Sequence, residues 1–276
     1  MEIRLAENYG FCFGVKRAIE IAEESKNAYT YGPLIHNREE INRLQENFNV
    51  TTAHELDELQ QTDRVIIRTH GIVKNELESL QKSGKEIIDA TCPFVTKPQE
   101  IVEEMSKEGY KIVIFGDEKH PEVKGVKSYA VNEPLVVMDV AELENVYLGP
   151  KVAVVSQTTR KVKEFMKIVN YLVENVKEVR VFNTICNATF ENQEAADKLS
   201  KEADVMVVIG GKNSSNTKQL YSIVKSNCPE SYHIEVPEEL QPEWFEGKRL
   251  CGVTAGASTP DWIIQNVIEK IRNISV

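Results

Sequence analysis

The chain has 276 residues, 41% of them hydrophobic, which suffices for one large or two to three small domains with a well-buried core. Its net charge of −10, from 33 basic and 43 acidic residues, argues against general nucleic-acid affinity, which needs a basic face. No stretch approaches the ~20 uninterrupted apolar residues of a membrane span, and the start, Met1-Glu2-Ile3-Arg4-Leu5, is too charged for a secretory signal.

A cytoplasmic location is therefore expected. There, cysteines are more often metal ligands or catalytic groups than disulfides, and five is an odd number for a disulfide framework. In chain order, helical patterns are expected over 14–26, 38–47, 74–83, 95–108, 160–173, 190–200, 215–226 and 260–273. Among them fall β-branched runs at 64–68, 111–115, 151–155, 204–209 and 249–253. These runs lack strict polar alternation, so helices should cover both faces. The rhythm predicts an α/β fold with mainly parallel sheets, whose ligands lie beyond the strand C-termini.

The unusual residues stand at those handovers. Cys12, Cys92 and Cys186 each sit at the mouth of a predicted helix and open roughly a third of the chain. A lone cysteine is most often a small buried apolar residue, but three at equivalent helix starts are hard to read that way. Helix N-termini favour the thiolate that metals require. Three thiolates leave a tetrahedral metal, or one iron of a cubane cluster, short of a ligand, and an open position suits catalysis. Cys228, in a polar turn, is expected to be exposed, and Cys251 to lie in a core strand; both read as structural.

Three of the five histidines, His36, His70 and His120, stand in strand-to-helix loops, where they cap a helix or hold an anion. His54 and His233 read as surface residues. The segment Gly210-Gly211-Lys212-Asn213-Ser214-Ser215-Asn216 resembles an anion nest, although one serine would suffice as a cap. A second such loop, Thr254-Ala255-Gly256-Ala257-Ser258, suggests with it a phosphate or diphosphate; neither matches a nucleotide fingerprint. Glu122, just after His120-Pro121, is either a dipole-stabilising acid or a proton carrier.

Together these stretches resemble the 4-hydroxy-3-methylbut-2-enyl diphosphate reductase family, iron–sulfur enzymes of the non-mevalonate isoprenoid pathway. The resemblance rests on Gly10–Val15, His36-Asn37-Arg38, His70-Gly71, Asp89-Ala90-Thr91-Cys92-Pro93, His120-Pro121-Glu122-Val123, Gln157-Thr158-Thr159, Ile185–Thr189, Lys212–Asn216 and Thr254–Ser258, in order from near residue 10 to near residue 270. Phe13 occupies a place where a small residue is expected in many relatives.

The resemblance implies three pseudo-symmetric α/β subdomains, trefoil-like around a central [4Fe-4S] cluster. Their expected spans are 1–91, 92–185 and 186–258, with a C-terminal helix over 259–276 packing back on the first. It implies that Cys12, Cys92 and Cys186 ligate three irons, and that the open fourth iron polarises the substrate's C–O bond. It implies that His36, His70, Ser214, Ser215, Asn216 and Ser258 hold the diphosphate, that His120 and Thr158 orient the hydroxyl end and Glu122, and that Glu122 relays protons. The products would be isopentenyl and dimethylallyl diphosphate, in the pathway's last step, with electrons from an external ferredoxin or flavodoxin. No partner nucleic acid or membrane is expected. Quinolinate synthase looks like a similar three-cysteine trefoil but fits the motif series less well. A non-catalytic iron–sulfur carrier would fill the fourth position with a further cysteine, Cys228 or Cys251.

Overall fold

The computed structural model describes residues 1–274, so Ser275 and Val276, the end of the expected 259–276 helix, lie outside the described residues. Strand β1 (Glu2–Leu5) is far in sequence from its partner. Strands β2 (Ala28–Tyr31), β3 (Val50–Ala53), β4 (Arg64–Ile67) and β5 (Glu86–Asp89) form one sheet, ordered β3-β2-β4-β5. Strands β6 (Lys111–Phe115), β7 (Leu135–Val137), β8 (Lys151–Ser156) and β9 (Glu178–Val181) form the next, ordered β7-β6-β8-β9. The last sheet takes β10 (Val205–Ile209), β11 (Ser231–Ile234) and β12 (Leu250–Ala255), and is completed by β1 in the order β11-β10-β12-β1. Every pairing is parallel, for example Ile3 with Cys251 and Val207 with Val253.

The three sheets share one topology: the first strand pairs with the second and the third, and the fourth flanks the third. In the last sheet the chain's opening strand plays the part of the fourth, so β1 belongs with residues 205–255 and not with the sheet of residues 28–89. By pairing with β12, β1 satisfies the hydrogen-bonding groups along that strand's edge. The helices are α1 (Phe13–Ser25), α2 (Arg38–Phe48), α3 (Lys74–Lys82), α4 (Pro93–Lys107), α5 (Pro121–Lys127), α6 (Val162–Asn175), α7 (Asn187–Ser200), α8 (Ser215–Asn227) and α9 (Asp261–Ile274). Eight match the expected periodic segments within a few residues. The ninth, α5, has a glycine and one turn too few for a periodic signal, and starts from Pro121 at its first position. Several strands of only three or four residues also carry too little sequence pattern to be read in advance.

Two compact units result. One holds Met1–Lys16, Ile35–Asn47 and the chain from Asn187 onward; the other holds Arg17–Leu34 and Phe48–Cys186. In the first, β10 reads Val-Met-Val-Val-Ile and is buried throughout, because helices cover both faces. On one face Ile263, Ile264, Val267 and Ile271 of α9 pack against Val205, Val207, Val253 and Ala255. On the other, Ala195, Ala196 and Leu199 of α7, with Leu220 and Val224 of α8, cover Met206 and Val208. In the second unit α4 follows β5 of one sheet but packs on the next: Ile101, Val102 and Met105 meet Ile112, Ile114, Ala153 and Val155. The opposite face of that sheet buries Phe165, Ile168 and Leu172 of α6, with Phe165 stacked on Phe115 at 6.1 Å. Among the described residues no helix is long and apolar enough to cross a membrane.

Candidate active site

Each of the three cysteines follows the fourth, edge strand of a sheet: Cys12 after β1, Cys92 after β5 and Cys186 after β9. Each backbone N–H donates to a carbonyl two residues past the end of the neighbouring third strand. The pairs are Cys12 to Ala257 (3.1 Å), Cys92 to Thr69 (3.0 Å) and Cys186 to Thr158 (2.9 Å). The chain then turns at once into α1, α4 or α7, so each thiol stands at a helix N-terminus. All three are half-buried. Soft sulfur donors at positive helix ends, partly shielded from water, are the donor chemistry that an iron–sulfur cluster uses, and these residues fit one.

The loops after the first strands are built alike. Gly32, Gly116 and Gly210 directly follow β2, β6 and β10, and each N–H donates to the last residue of the adjacent second strand, Ala53, Val137 or Ile234. Four residues beyond each glycine stand His36, His120 and Ser214.

In the second unit His120 caps α5, its Nδ1 accepting the Glu122 N–H at 3.2 Å, so the neutral ring carries its proton on Nε2. The His70 ring meets the His120 ring edge-on, with centroids 5.6 Å apart. Thr69, beside His70, anchors its loop by donating to the Leu34 carbonyl at 2.8 Å. Glu122 is 2% exposed. Its Oε1 accepts the Thr158 backbone N–H at 2.7 Å and its Oε2 accepts the Thr158 hydroxyl at 2.8 Å. Burial pushes the Glu122 carboxyl above its usual range, against the pull of the two Thr158 bonds and of the Arg160 charge. A carboxyl held above its usual range by burial, beside a histidine, has the chemistry of a proton donor.

In the first unit the two glycine-bearing loops lie side by side. Gly256 donates to the Ile209 carbonyl at 2.8 Å, and a Cβ on Gly210 would meet the hydroxyls of Thr217 and Thr259 at 2.8 and 2.7 Å. Gly210 also has φ +146°, so glycine is required there twice over. Ser214 caps α8 by accepting the Thr217 N–H at 3.3 Å, and Ser258 donates to the His36 carbonyl at 3.3 Å. The capping role is therefore real for Ser214. Asn216 is different: it is 4% exposed, and neither Oδ1 nor Nδ2 has a hydrogen-bond partner among the described residues. A buried amide left unsatisfied in a native fold calls for a partner, such as a water or a polar ligand. Ser215, half-buried at the start of α8, completes this loop.

Residues 3–272 match the family model described as LytB protein. The chain belongs to this family. It is 67% identical, over the full length of both chains, to a Nitratiruptor protein named 4-hydroxy-3-methylbut-2-enyl diphosphate reductase. A Campylobacter jejuni protein of the same name is 64% identical over the full length of both. A solved structure of (E)-4-hydroxy-3-methyl-but-2-enyl diphosphate reductase, described as the terminal enzyme of the non-mevalonate pathway, aligns with a TM-score of 0.73 at 46% identity. It covers 99% of this chain and 100% of its own. A Plasmodium falciparum reductase structure aligns with a TM-score of 0.90 at 27% identity, covering 97% of this chain and 86% of its own. This LytB-family chain is accordingly an oxidoreductase, with the three parallel-sheet α/β subdomains of those structures.

Two sequence expectations need correction. Cys228 is not exposed: it is 4% exposed, in a core of α7, α8 and β10 residues, because α8 ends by folding its last turn onto β11. His233 is not on the surface: it is half-buried, and its Nε2 lies 2.8 Å from the Gly210 carbonyl, bracing the anion-type loop from behind. Burial pushes the Cys251 thiol up to about 12, which keeps it protonated and unsuited to iron. A fourth cysteine ligand from Cys228 or Cys251 is thus disfavoured, as a simple electron carrier would require. Gln157 was quoted in its motif without a part; its Oε1 accepts the Asp117 N–H at 3.1 Å and so ties the His120 loop to the Thr158 loop. The sequence reading missed Arg160, whose guanidinium lies over the Phe115 ring. The regular spacing from Gly32, Gly116 and Gly210 to His36, His120 and Ser214 was the signal that could have revealed the internal repeat.

Proposed function

We propose that this chain reduces 4-hydroxy-3-methylbut-2-enyl diphosphate, with two electrons and two protons, to isopentenyl or dimethylallyl diphosphate and water. This is the last step of the non-mevalonate route to isoprenoid precursors. The observation that carries the reading is Glu122: a buried carboxyl, pushed above its usual range by burial and gripped by Thr158 next to His120, in a chain matching named reductases end to end.

The residues take the following parts. Cys12, Cys92 and Cys186 hold a [4Fe-4S] cluster with one iron left open, in keeping with their shared position between edge strand and helix. When bound, that cluster supplies electrons and a Lewis acid for the departing hydroxyl. His36, His70, Ser214, Ser215, Asn216 and Ser258 hold the diphosphate; the unsatisfied amide of Asn216 supports this part most directly. Thr158 and His120 fix Glu122 and the hydroxyl end of the substrate. Glu122 delivers protons to the leaving oxygen and the allylic carbon. The electrons come from a ferredoxin or flavodoxin, and the enzyme works in the cytoplasm, where its thiols stay reduced.

Anaerobic turnover tests this. The protein, reconstituted with iron and sulfide and given a strong one-electron reductant, should convert 4-hydroxy-3-methylbut-2-enyl diphosphate to the two five-carbon diphosphates. A full complement of cluster without either product rejects the reading.

A further inference from the structure

Arg68 directly follows β4, and its side chain lies over Gly32, in the loop after β2. A Cβ on Gly32 would overlap Nη1 and lie 3.0 Å from the guanidinium carbon, so only a glycine leaves room there. Residues 68–71 form a turn that is closed twice. The Gly71 N–H donates to the Arg68 carbonyl at 3.0 Å, and the Arg68 Nε–H donates back to the Gly71 carbonyl at 3.2 Å. Thr69 is fixed as well: its hydroxyl donates to the Leu34 carbonyl at 2.8 Å, and its own carbonyl accepts the Cys92 N–H at 3.0 Å. Gly71 packs against α4, where a Cβ would lie 2.8 Å from Gln99 Nε2. His70 is therefore carried between two pinned residues, and one of the pins is the Arg68 side chain. Gln157 holds the same place in the sheet of β6 and β8. It directly follows β8, its Oε1 would lie 3.1 Å from a Cβ on Gly116, and that oxygen accepts the Asp117 N–H at 3.1 Å. In both sheets, then, the first side chain after the third strand covers the glycine after the first strand and bonds a loop backbone.

We propose that Arg68 is a positioning residue for His70: its Nε–H, by closing the turn on Gly71, holds the His70 ring in the direction that diphosphate binding requires. The proposal rests on the diphosphate part given to His70 above. What acts is the bond at Nε and not the charge of the guanidinium, because the acceptor is a backbone carbonyl within the turn itself. A ring fixed before the ligand arrives costs less ordering on binding, so loosening the turn weakens affinity and leaves the chemical step alone.

The test reads the His70 ring by nuclear magnetic resonance in the cluster-loaded protein without reductant, with labelled histidine and the signal assigned by its loss in His70→Ala. Arg68→Met keeps an unbranched chain over Gly32 but has no donor at the Nε position. Arg68→Gln places an amide nitrogen at that position and carries no charge. Arg68→Met should displace the His70 signal and raise KM for the diphosphate substrate about 3- to 10-fold, the range of one net hydrogen bond, with kcat and iron content unchanged. Arg68→Gln should restore both signal and KM. Arg68→Lys keeps the charge but lacks a donor at Nε, should behave like Arg68→Met, and serves if that variant does not fold. A His70 signal that coincides in the unaltered protein and in Arg68→Met or Arg68→Lys overturns the proposal, as does an Arg68→Gln signal displaced as far as theirs. Because the signal is read without turnover, a displaced signal with unchanged KM sinks the diphosphate part of His70, whereas a raised KM without displacement sinks the part of Arg68.

Discussion

Replacing Thr158 with valine changes one hydroxyl to a methyl at nearly constant volume, and it isolates a single bond to Glu122. In the native protein the carboxyl receives two hydrogen bonds from Thr158, 2.7 Å from the backbone and 2.8 Å from the side chain. Valine keeps the first and deletes the second. Glu122 is 2% exposed, so no water replaces the lost donor. A hydrogen bond to a charged group contributes ~1.5–3 kcal/mol, and all of it here favours the ionised form. At ~1.4 kcal/mol per factor of ten, the carboxylate left after proton delivery is disfavoured about 10- to 100-fold. The sign is fixed: Glu122 already retains its proton above the usual carboxylate range, and Thr158→Val raises that retention further. Its protonated form is the donor, so the basic limb of kcat should move to higher pH. The plateau rate should fall by up to about 10- to 100-fold, with KM little changed. The assay is anaerobic steady-state turnover across pH, with the visible absorbance of the cluster confirming equal loading. A plateau within about twofold of the parent protein and an unmoved basic limb would refute the assignment of Thr158 and Glu122 as one proton-handling pair.

Three further outcomes are expected. Cys92→Ser should lose most of its iron and sulfide on anaerobic gel filtration, and unchanged content would contradict the ligand assignment. Asn216→Ala removes an amide that is unsatisfied without ligand, so KM should rise roughly tenfold, from the ~1–1.5 kcal/mol of a net hydrogen bond, while the unfolding temperature stays level or increases. An unaltered KM would remove Asn216 from the diphosphate site. Gly210→Ala places a Cβ 2.7–2.8 Å from two threonine hydroxyls at φ +146° and should destabilise the fold by about 1–3 kcal/mol in chemical denaturation. A stability equal to the parent would mean that this loop is looser than it looks.

Much of this was visible along the chain. The long helices were legible because their apolar residues recur at helical spacing, as in α6 and α9, where Phe165, Ile168, Val169 and Leu172 or Ile263, Ile264, Val267, Ile268 and Ile271 face the core. The central strands β6, β8 and β10 were legible as continuous β-branched runs. The short edge strands β5 and β9 were not, since four residues half-covered on their outer side carry no distinctive pattern. Cys12, Cys92, Cys186, His36, His70, His120, Glu122 and the serine loops could be picked out because Gly, Pro, Ser and Thr cluster where strands hand over to helices. The contacts of Arg160 and Gln157 could not. Their significance lies in what they touch across the loop pair 116–122 and 157–160, and no local spacing encodes that contact.

The sequence by itself determined the fold class, the strand-to-helix positions of the candidate ligands and the family, because periodicity and motif order are properties of the chain alone. Only the tertiary structure decided that β1 completes the sheet of β10, β11 and β12, that the three cysteines occupy one equivalent place in three sheets, and that Cys228 is buried. It also decided that the Glu122 carboxyl is pushed above its usual range. A carboxyl's acidity is set by the water it loses and the donors it gains, and both come from residues such as Thr158 that reach it only once the sheet of β6 and β8 has formed.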